Sequence, residues 1–345
     1  MNTQITATAL EYLEKLILAL HFSICVAVRQ NIRCQKGKYD SRVRKEAHGD
    51  VCYSVDLASE SIIDEFFSRQ AIAGGVVIIC EGLGKRVYPP SLTEEEAAWR
   101  IIIDPLDGTR HIMYDNRSAW VLTGVAPNLG GLTNLQDVVL AVQTEVPPTM
   151  QSLSAVLVGV RGGGVRHSVW DIEENKCLAP HVPLSPSQEV VLDNGFVVFP
   201  NFFPGTKAII SAIEETVLEN ILGPAQECSA LVFSEQYISS AGQIYMLISG
   251  RYRVCADIRA ELAEFQQKRG QKLPMCAHPY DLATCLIAEE LGIVLVDGRG
   301  RPLAYPLDTK TNCSWVGYAN KTICNNFQPV LLQVMQQKGI IVTSN

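Results

Sequence analysis

The sequence lacks the features by which several large classes of protein are recognised. Its 345 residues contain 29 Lys and Arg against 36 Asp and Glu, so no excess of cations is present to coat a nucleic acid. The eleven cysteines include no Cys-x-x-Cys pair and no zinc-ligand spacing, and they are interpreted as reduced thiols of a cytoplasmic protein. General disorder is excluded, because 47% of the residues are hydrophobic and only 19% are charged.

The sequence also lacks a convincing targeting segment or membrane span. The apolar stretch 16–28 is interrupted by His21 and follows Glu11, Glu14 and Lys15, so it is too short and too polar to cross a bilayer. Apolar residues recur through 4–33 at helical spacing, which predicts an amphipathic first helix.

Helix-type and strand-type patterns alternate in both halves of the chain, which indicates an α/β fold. Strands are predicted at 76–80, 101–103, 119–126, 138–144, 155–160, 190–199, 252–255, 293–296 and 314–318. Helices are predicted at 57–70, 206–222, 239–249, 279–291 and 326–337. Residues 180–186 are the best candidate boundary, which divides the chain into an N-terminal half, 1–185, and a C-terminal half, 186–345.

The most informative stretch is Ile-Ile-Ile-Asp-Pro-Leu-Asp-Gly-Thr at 101–109. Asp104 and Asp107 follow a predicted strand, and two close carboxylates repel each other unless a cation lies between them. Oxygen ligands favour Mg²⁺ or Mn²⁺, and the Leu106 carbonyl is a further candidate ligand. The N–H groups of Gly108 and Thr109 would start a helix suited to a phosphate. Asp-Pro followed by Asp-Gly is also a common turn after a strand, so a structural interpretation stays open.

Two further carboxylates follow or begin predicted elements. Glu81 comes directly after the strand at 76–80, and Asp281 lies in the first turn of the helix predicted at 279–291. Either residue has a simple structural explanation, as an exposed strand-end charge or as a partner of the helix dipole.

Taken in order, these motifs resemble the inositol monophosphatase family of magnesium-dependent, lithium-sensitive phosphatases, whose superfamily includes fructose-1,6-bisphosphatase. Asp-Pro-Leu-Asp-Gly-Thr is the most specific of them. The resemblance covers most of the chain, through the segments 50–56, 81–82, 104–109, 161–164, 280–281 and 289–303.

The resemblance implies a layered αβαβα sandwich and a metal centre of two or three ions. Glu81, Asp104 and the Leu106 carbonyl would hold one Mg²⁺, Asp104, Asp107 and Asp281 a second, and a weaker third would lie near Glu81. It implies a role in phosphate binding for the N–H groups of 108 and 109.

The resemblance also assigns residues to the reaction and to the substrate. Thr109, supported by Asp56, would orient and deprotonate the attacking water beside Glu81. Asp257 aligns with an acid that binds sugar hydroxyls, and Asp107 and Asp281 border the substrate. Ser240 lies where the family has a small polar residue near the substrate, although a helix cap explains it equally well.

Several positions depart from the family pattern. Gly82 stands where the family usually has a second Glu, and Tyr280 replaces a Trp. About 17 additional residues lie between Asp257 and Asp281. Arg110 follows Thr109 where small or amide residues are common. These changes concern the leaving-group pocket more than the phosphate site.

The leading hypothesis is therefore a Mg²⁺-dependent phosphomonoesterase acting on a small phosphorylated polyol or sugar. A sugar bisphosphate or a 3′-phosphonucleotide is the alternative substrate, since Arg110, Arg117 or Arg259 could bind a second phosphate if they are not solvated surface charges. The alternative from a different functional class is a non-catalytic protein that binds phosphate or metal. Neither nucleic acid nor membrane is expected as a partner, and the resemblance suggests a homodimer.

Overall fold

The computed structural model describes residues 6–34, 45–47, 50–52, 54–224, 230–271 and 275–341, with side chains for 6–34 and from residue 59 onward within those ranges. A short hairpin comes early, formed by β1 (Lys45–Ala47) and β2 (Asp50–Cys52). The remaining strands form two sheets, one of eight strands and one of five.

The larger sheet is built entirely from residues before 180. Its spatial order is β10-β9-β8-β7-β6-β5-β3-β4, and only the β3–β5 pair is parallel. Its strands are β3 (Val76–Cys80), β4 (Gly84–Tyr88), β5 (Trp99–Asp107), β6 (Ala119–Pro127), β7 (Leu140–Val146), β8 (Leu153–Val160), β9 (Gly164–Asp171) and β10 (Lys176–Ala179).

The smaller sheet is built entirely from residues after 190. Its spatial order is β12-β11-β13-β15-β14, with β11 parallel to both of its neighbours. Its strands are β11 (Gly195–Val198), β12 (Val232–Phe233), β13 (Tyr252–Asp257), β14 (Val294–Val296) and β15 (Trp315–Tyr318).

Helices cover both faces of both sheets, so the layers alternate helix, sheet, helix, sheet, helix. The outer helices α1 (Ala7–Cys34) and α2 (Ser54–Ser68) pack on the larger sheet. Helices α5 (Ser240–Ile248) and α7 (Cys285–Glu290) lie between the sheets, where one apolar cluster joins both halves of the chain. The expected αβαβα sandwich is confirmed, and the boundary at 185/186 falls between the two sheets.

The third helical layer covers the outer face of the smaller sheet. Helices α4 (Lys207–Leu222) and α8 (Lys321–Gln337) contact each other and contribute to the outer apolar cluster, joined by α6 (Arg259–Gln267). A four-residue helix, α3 (Thr109–Ile112), follows β5 directly. None of the described helices combines the length and the apolar character that a bilayer crossing requires.

Several sequence-based boundaries were wrong. The helix predicted at 279–291 is a 3₁₀ turn, Pro279–Leu282, followed by α7, so Asp281 lies in a tight turn instead of a regular helix. Helix α2 begins at Ser54, before the start predicted at 57, so Asp56 lies within its first turn. The strands β4, β9, β10 and β12 were missed, because their mostly exposed and half-buried residues give no apolar run.

Candidate active site

Two neighbouring strands deliver the first two carboxylates to one edge of the larger sheet. Strands β3 and β5 are wholly buried, as their continuous apolar sequences predict for a parallel pair covered on both faces. Their last paired residues are Cys80 and Ile103, and the Glu81 amide donates to the Ile103 carbonyl at 3.3 Å. Glu81, directly after β3, and Asp104, within β5, therefore lie side by side.

Asp281 reaches this edge from the 3₁₀ turn between the sheets. The turn lies against strand β6 at Gly124, which pairs with Ile102 of β5. A Cβ atom at Gly124 would lie 2.5 Å from the Ala283 carbonyl oxygen, so the absence of a side chain permits this close approach. The Asp281 carboxylate accepts a hydrogen bond from the His278 amide at 2.7 Å, which fixes its orientation.

The structure brings three of the predicted ligands together in one place. Asp104, Asp107 and Asp281 each offer a carboxylate oxygen, and these atoms lie within 4.8 Å of one another. Glu81 borders the same cleft, just outside that group of three. Asp104 and Asp107 are only 1% and 6% exposed, so water solvates their charges poorly.

Burial and like charge dominate the electrostatics of this group. Burial raises the pKa of Asp104 well above its usual value, and Glu81, Asp107 and Asp281 raise it further. Burial and Asp281 raise the pKa of Asp107 to about 7, although hydrogen bonds from the region of Ser239 and Ala241 oppose the rise. A compact set of hard oxygen donors with excess negative charge fits a divalent cation of the Mg²⁺ type.

Asp107 is held in place by the start of helix α5. The Ser239 hydroxyl donates to its Oδ2 at 2.9 Å, and the Ala241 amide donates to the same oxygen at 2.6 Å. Ser239, not Ser240, is the N-cap of α5, because its hydroxyl accepts from the Gly242 amide. Ser240 lines the cleft, where the sequence analysis placed it.

The turn between Asp104 and Thr109 is closed by its own hydrogen bonds. The Asp104 side chain accepts from the Leu106 amide at 2.9 Å, and the Thr109 hydroxyl donates to the Leu106 carbonyl at 2.8 Å. Leu106, Gly108 and Thr109 all line the cleft beside the carboxylates. The Leu106 carbonyl keeps a second lone pair with which it could bind a cation.

Asp257 and Asp56 are the remaining residues that the sequence analysis assigned to the site. Asp257 does not line the cleft: it is fully buried, and both of its carboxylate oxygens accept from Arg259, at 2.8 and 2.5 Å. Arg259 is the residue that faces the cleft. The side chain of Asp56 lies outside the described residues, so its predicted role stays a prediction.

Gly82, the main departure from the family pattern, has a close neighbour. A Cβ atom at Gly82 would lie 2.0 Å from Oε1 of Glu60, and the backbone there has a φ of +71°. The Glu60 carboxylate therefore occupies the space beside Glu81 that a side chain at 82 would enter. Burial raises the pKa of the neighbouring Cys80 thiol well above its usual value, and the charges of Glu81, Asp104 and Glu60 raise it further.

Several solved structures share this architecture. The chain aligns with fructose-1,6-bisphosphatase of Leishmania major at 15% identity and a TM-score of 0.64, over 93% of this chain and 94% of that one. It aligns with the extragenic suppressor protein SuhB of Bartonella henselae at 13% identity and a TM-score of 0.61, over 93% of this chain and 98% of that one. It also aligns with a protein described as an inositol monophosphatase–fructose 1,6-bisphosphatase, at 16% identity and a TM-score of 0.58, over 90% of this chain and 98% of that one.

This chain has the inositol monophosphatase and fructose-1,6-bisphosphatase fold. No protein-family model and no curated protein sequence matches it. The likeness is therefore one of three-dimensional structure, at sequence identities that establish the fold alone.

Within that fold, the cleft has a cavity volume of about 70 Å³ and is lined by further residues besides the carboxylates. Phe202, Phe203 and Met275 line it together with Arg110 and Arg259, two of the arginines that the sequence analysis considered as ligands of a second phosphate. The sequence around Phe202, Phe203 and Met275 has no regular periodicity, so no sequence signal placed these three side chains at the site.

Proposed function

We propose that this protein is a divalent-cation-dependent phosphomonoesterase that hydrolyses a small phosphorylated polyol or sugar. The observation that carries the proposal is the meeting of Asp104, Asp107 and Asp281, from distant parts of the chain, within 4.8 Å. The fold supports it, because fructose-1,6-bisphosphatase is among the structures that share the architecture.

The donor set suits two or three Mg²⁺ ions. Glu81, Asp104 and the Leu106 carbonyl would hold one ion, Asp104, Asp107 and Asp281 a second, and Glu81 a weaker third. When bound, these ions would neutralise charge on the phosphate oxygens and acidify a water molecule.

The chain's own groups would position the reactants. Because the Thr109 hydroxyl donates to Leu106, its oxygen lone pairs are directed elsewhere and could accept a hydrogen bond from the attacking water. Glu81, with Thr109 supported by Asp56, would take up the water proton, and the amides of Gly108 and Thr109 would hold the phosphate. Water adds to phosphorus, the ester oxygen departs with a proton as an alcohol, and inorganic phosphate remains.

The leaving group would lie toward the smaller sheet. Ser240 would contact it from the start of α5, since this side chain lines the cleft. Asp257 would act through Arg259, whose guanidinium it holds in the cleft wall.

Phosphate release from a panel of inositol, fructose and nucleotide phosphates tests the proposal. We expect release with Mg²⁺, loss with a chelator, and loss in Asp104→Asn. Asp193→Asn is the matched control, because Asp193 is exposed and lies outside the cleft. Absence of release from every substrate, with intact folding, would reject phosphatase activity.

Gly82 motivates one alternative, a protein that binds Mg²⁺ and a phosphate ligand without turnover. The two functions separate in a single comparison of binding and release. Calorimetric binding of Mg²⁺ with no phosphate release would select the non-catalytic protein.

A further inference from the structure

Helix α2 presents two carboxylates to the hairpin that β3 and β4 form. Glu60 and Asp64 lie one helical turn apart, which places them on the same side of the helix. The Asp64 carboxylate accepts a hydrogen bond from the hydroxyl of Tyr88, at the open end of the hairpin. Glu60 faces the closed end, where its carboxylate lies against the backbone of Gly82. The helix therefore holds Glu60 at the turn that begins with Glu81.

The turn has room for this carboxylate because residue 82 lacks a side chain. The Leu83 amide donates to the Glu81 carbonyl at 2.8 Å, which closes the turn around Gly82, whose φ is +71°. A Cβ atom added at Gly82 would overlap both Oε1 and Cδ of Glu60. A side chain at 82 would therefore displace the Glu60 carboxylate from its present place.

The charge of Glu60 acts at the same place as the charges of the metal-site carboxylates. Burial raises the pKa of the Cys80 thiol, and Glu81, Asp104 and Glu60 all raise it further. Glu60 and Glu81 are both half-buried, so water screens the repulsion between their charges incompletely. Like charges that the fold holds near each other are stabilised when a cation lies beside them.

Charge balance indicates what Glu60 would add to the site. The carboxylates that line the cleft are those of Glu81, Asp104, Asp107 and Asp281. Their charges match two Mg²⁺ ions, and a third ion near Glu81 would bring two further positive charges. Glu60 does not line the cleft, so its carboxylate would act on such an ion through bound water and not by direct contact.

We propose that Glu60 is a further acidic residue of the metal centre, which strengthens binding of the ion near Glu81 from outside the cleft. This inference rests on the proposed function, which supplies the ions. Glu60 is a positioning residue, because it would orient water molecules on that ion and would touch neither the phosphate nor the leaving group.

Calorimetric titration of the whole protein with Mg²⁺ tests this role without requiring activity. Glu60→Gln keeps the shape of the side chain and removes its charge, and we expect the affinity of the weakest binding step to fall about tenfold. Gly82→Ala keeps the charge but displaces the carboxylate, and it should weaken the same step. Glu65→Gln is the matched control, because Glu65 lies on the same helix, is 61% exposed and pairs with Arg69.

Thermal melts separate this role from a purely structural one. The metal-free Glu60→Gln protein should melt at the wild-type temperature or above it, because the change removes repulsion, and Mg²⁺ should raise its melting temperature less than that of the wild type. A structural role would lower the melting temperature equally with and without Mg²⁺. In assays of phosphate release, the Mg²⁺ concentration that gives half the maximal rate should rise about tenfold, with little change in rate at saturating Mg²⁺.

Two results for Glu60→Gln overturn its role: Mg²⁺ affinities equal to those of the wild type, or a loss of stability that is independent of Mg²⁺. A wild type that binds no Mg²⁺ overturns it as well. If the protein binds Mg²⁺ but hydrolyses no substrate, the phosphatase proposal fails separately, and the calorimetric comparison still decides the role of Glu60.

Discussion

Asp104 and Asp257 are two buried carboxylates with opposite surroundings. Asp104 is 1% exposed and Asp257 is 0% exposed, so burial alone does not distinguish them. Asp104 is surrounded by Glu81, Asp107 and Asp281, whereas Asp257 receives two hydrogen bonds from Arg259. A buried carboxylate with its own cation holds the structure together, and one surrounded by other carboxylates is available for a ligand of positive charge.

The largest expected effect comes from removing the charge of Asp104, which is surrounded by other carboxylates. Asp104→Asn should lower kcat/KM for phosphate release by about 10³-fold or more, since the divalent ions are expected to stabilise the transition state by several kcal/mol. The same change should raise the thermal stability of the metal-free protein, because it removes a buried charge repelled by its neighbours. An active variant, or a metal-free protein that melts lower, would contradict this view of Asp104.

Asp257→Asn should lower the stability of the protein, whereas Asp104→Asn should raise it. Its replacement leaves the buried Arg259 cation without a counter-charge, and we expect the free energy of unfolding to fall by about 3 kcal/mol in urea titrations. Asp297→Asn is the matched control. Its partner Arg301 is 68% exposed and stays hydrated, so the loss should be about 1 kcal/mol or less. Equal losses in both variants would contradict the distinction.

The comparison also explains what could be predicted from sequence. Asp104, Asp107 and Glu81 were identified because they follow short β-branched strands, where chain direction fixes their position. The α/β class followed from alternating helix and strand patterns, and the layered sandwich followed from the resemblance to the inositol monophosphatase family. Arg110 was considered as a possible phosphate ligand, but its packing against Phe203 and Met275 could not be predicted, because it joins a short helix, a loop and an inserted segment. Asp257 was assigned to sugar binding from alignment, without the Arg259 contact that removes it from the cleft.

Metal-free protein should lose stability as pH rises. Burial and Asp281 raise the pKa of Asp107 to about 7, so the folded state binds more protons than the unfolded state between about pH 4 and 7. The stability that protonation of Asp107 contributes is fully present below about pH 4 and is lost as pH rises through about 7. The loss should be on the order of 2–4 kcal/mol, and Mg²⁺ should restore more stability at pH 8 than at pH 5.

Thermal melts from pH 5 to 8, with chelator and with Mg²⁺, measure this effect. Asp107→Asn removes the titration of this carboxyl, and it also removes part of the charge that raises the pKa of Asp104. The metal-free variant should lose less stability with rising pH than the wild type does. Parallel curves for the two proteins would show that Asp107 is not the group responsible.

The smallest expected effect comes from moving a carboxylate without changing any charge. In Gly124→Ala the added Cβ would lie 2.5 Å from the Ala283 carbonyl oxygen and push the turn that carries Asp281 away from β6. We expect a loss of about 1–2 kcal/mol in stability and roughly tenfold weaker Mg²⁺ binding by calorimetry. Gly131→Ala is the control, because no atom lies within 4 Å of its added Cβ. If Gly124→Ala bound Mg²⁺ as tightly as the wild type, the position of Asp281 would not limit ion binding. The close approach of the carboxylates around Asp104 would then be a consequence of burial and not of a shared ion site.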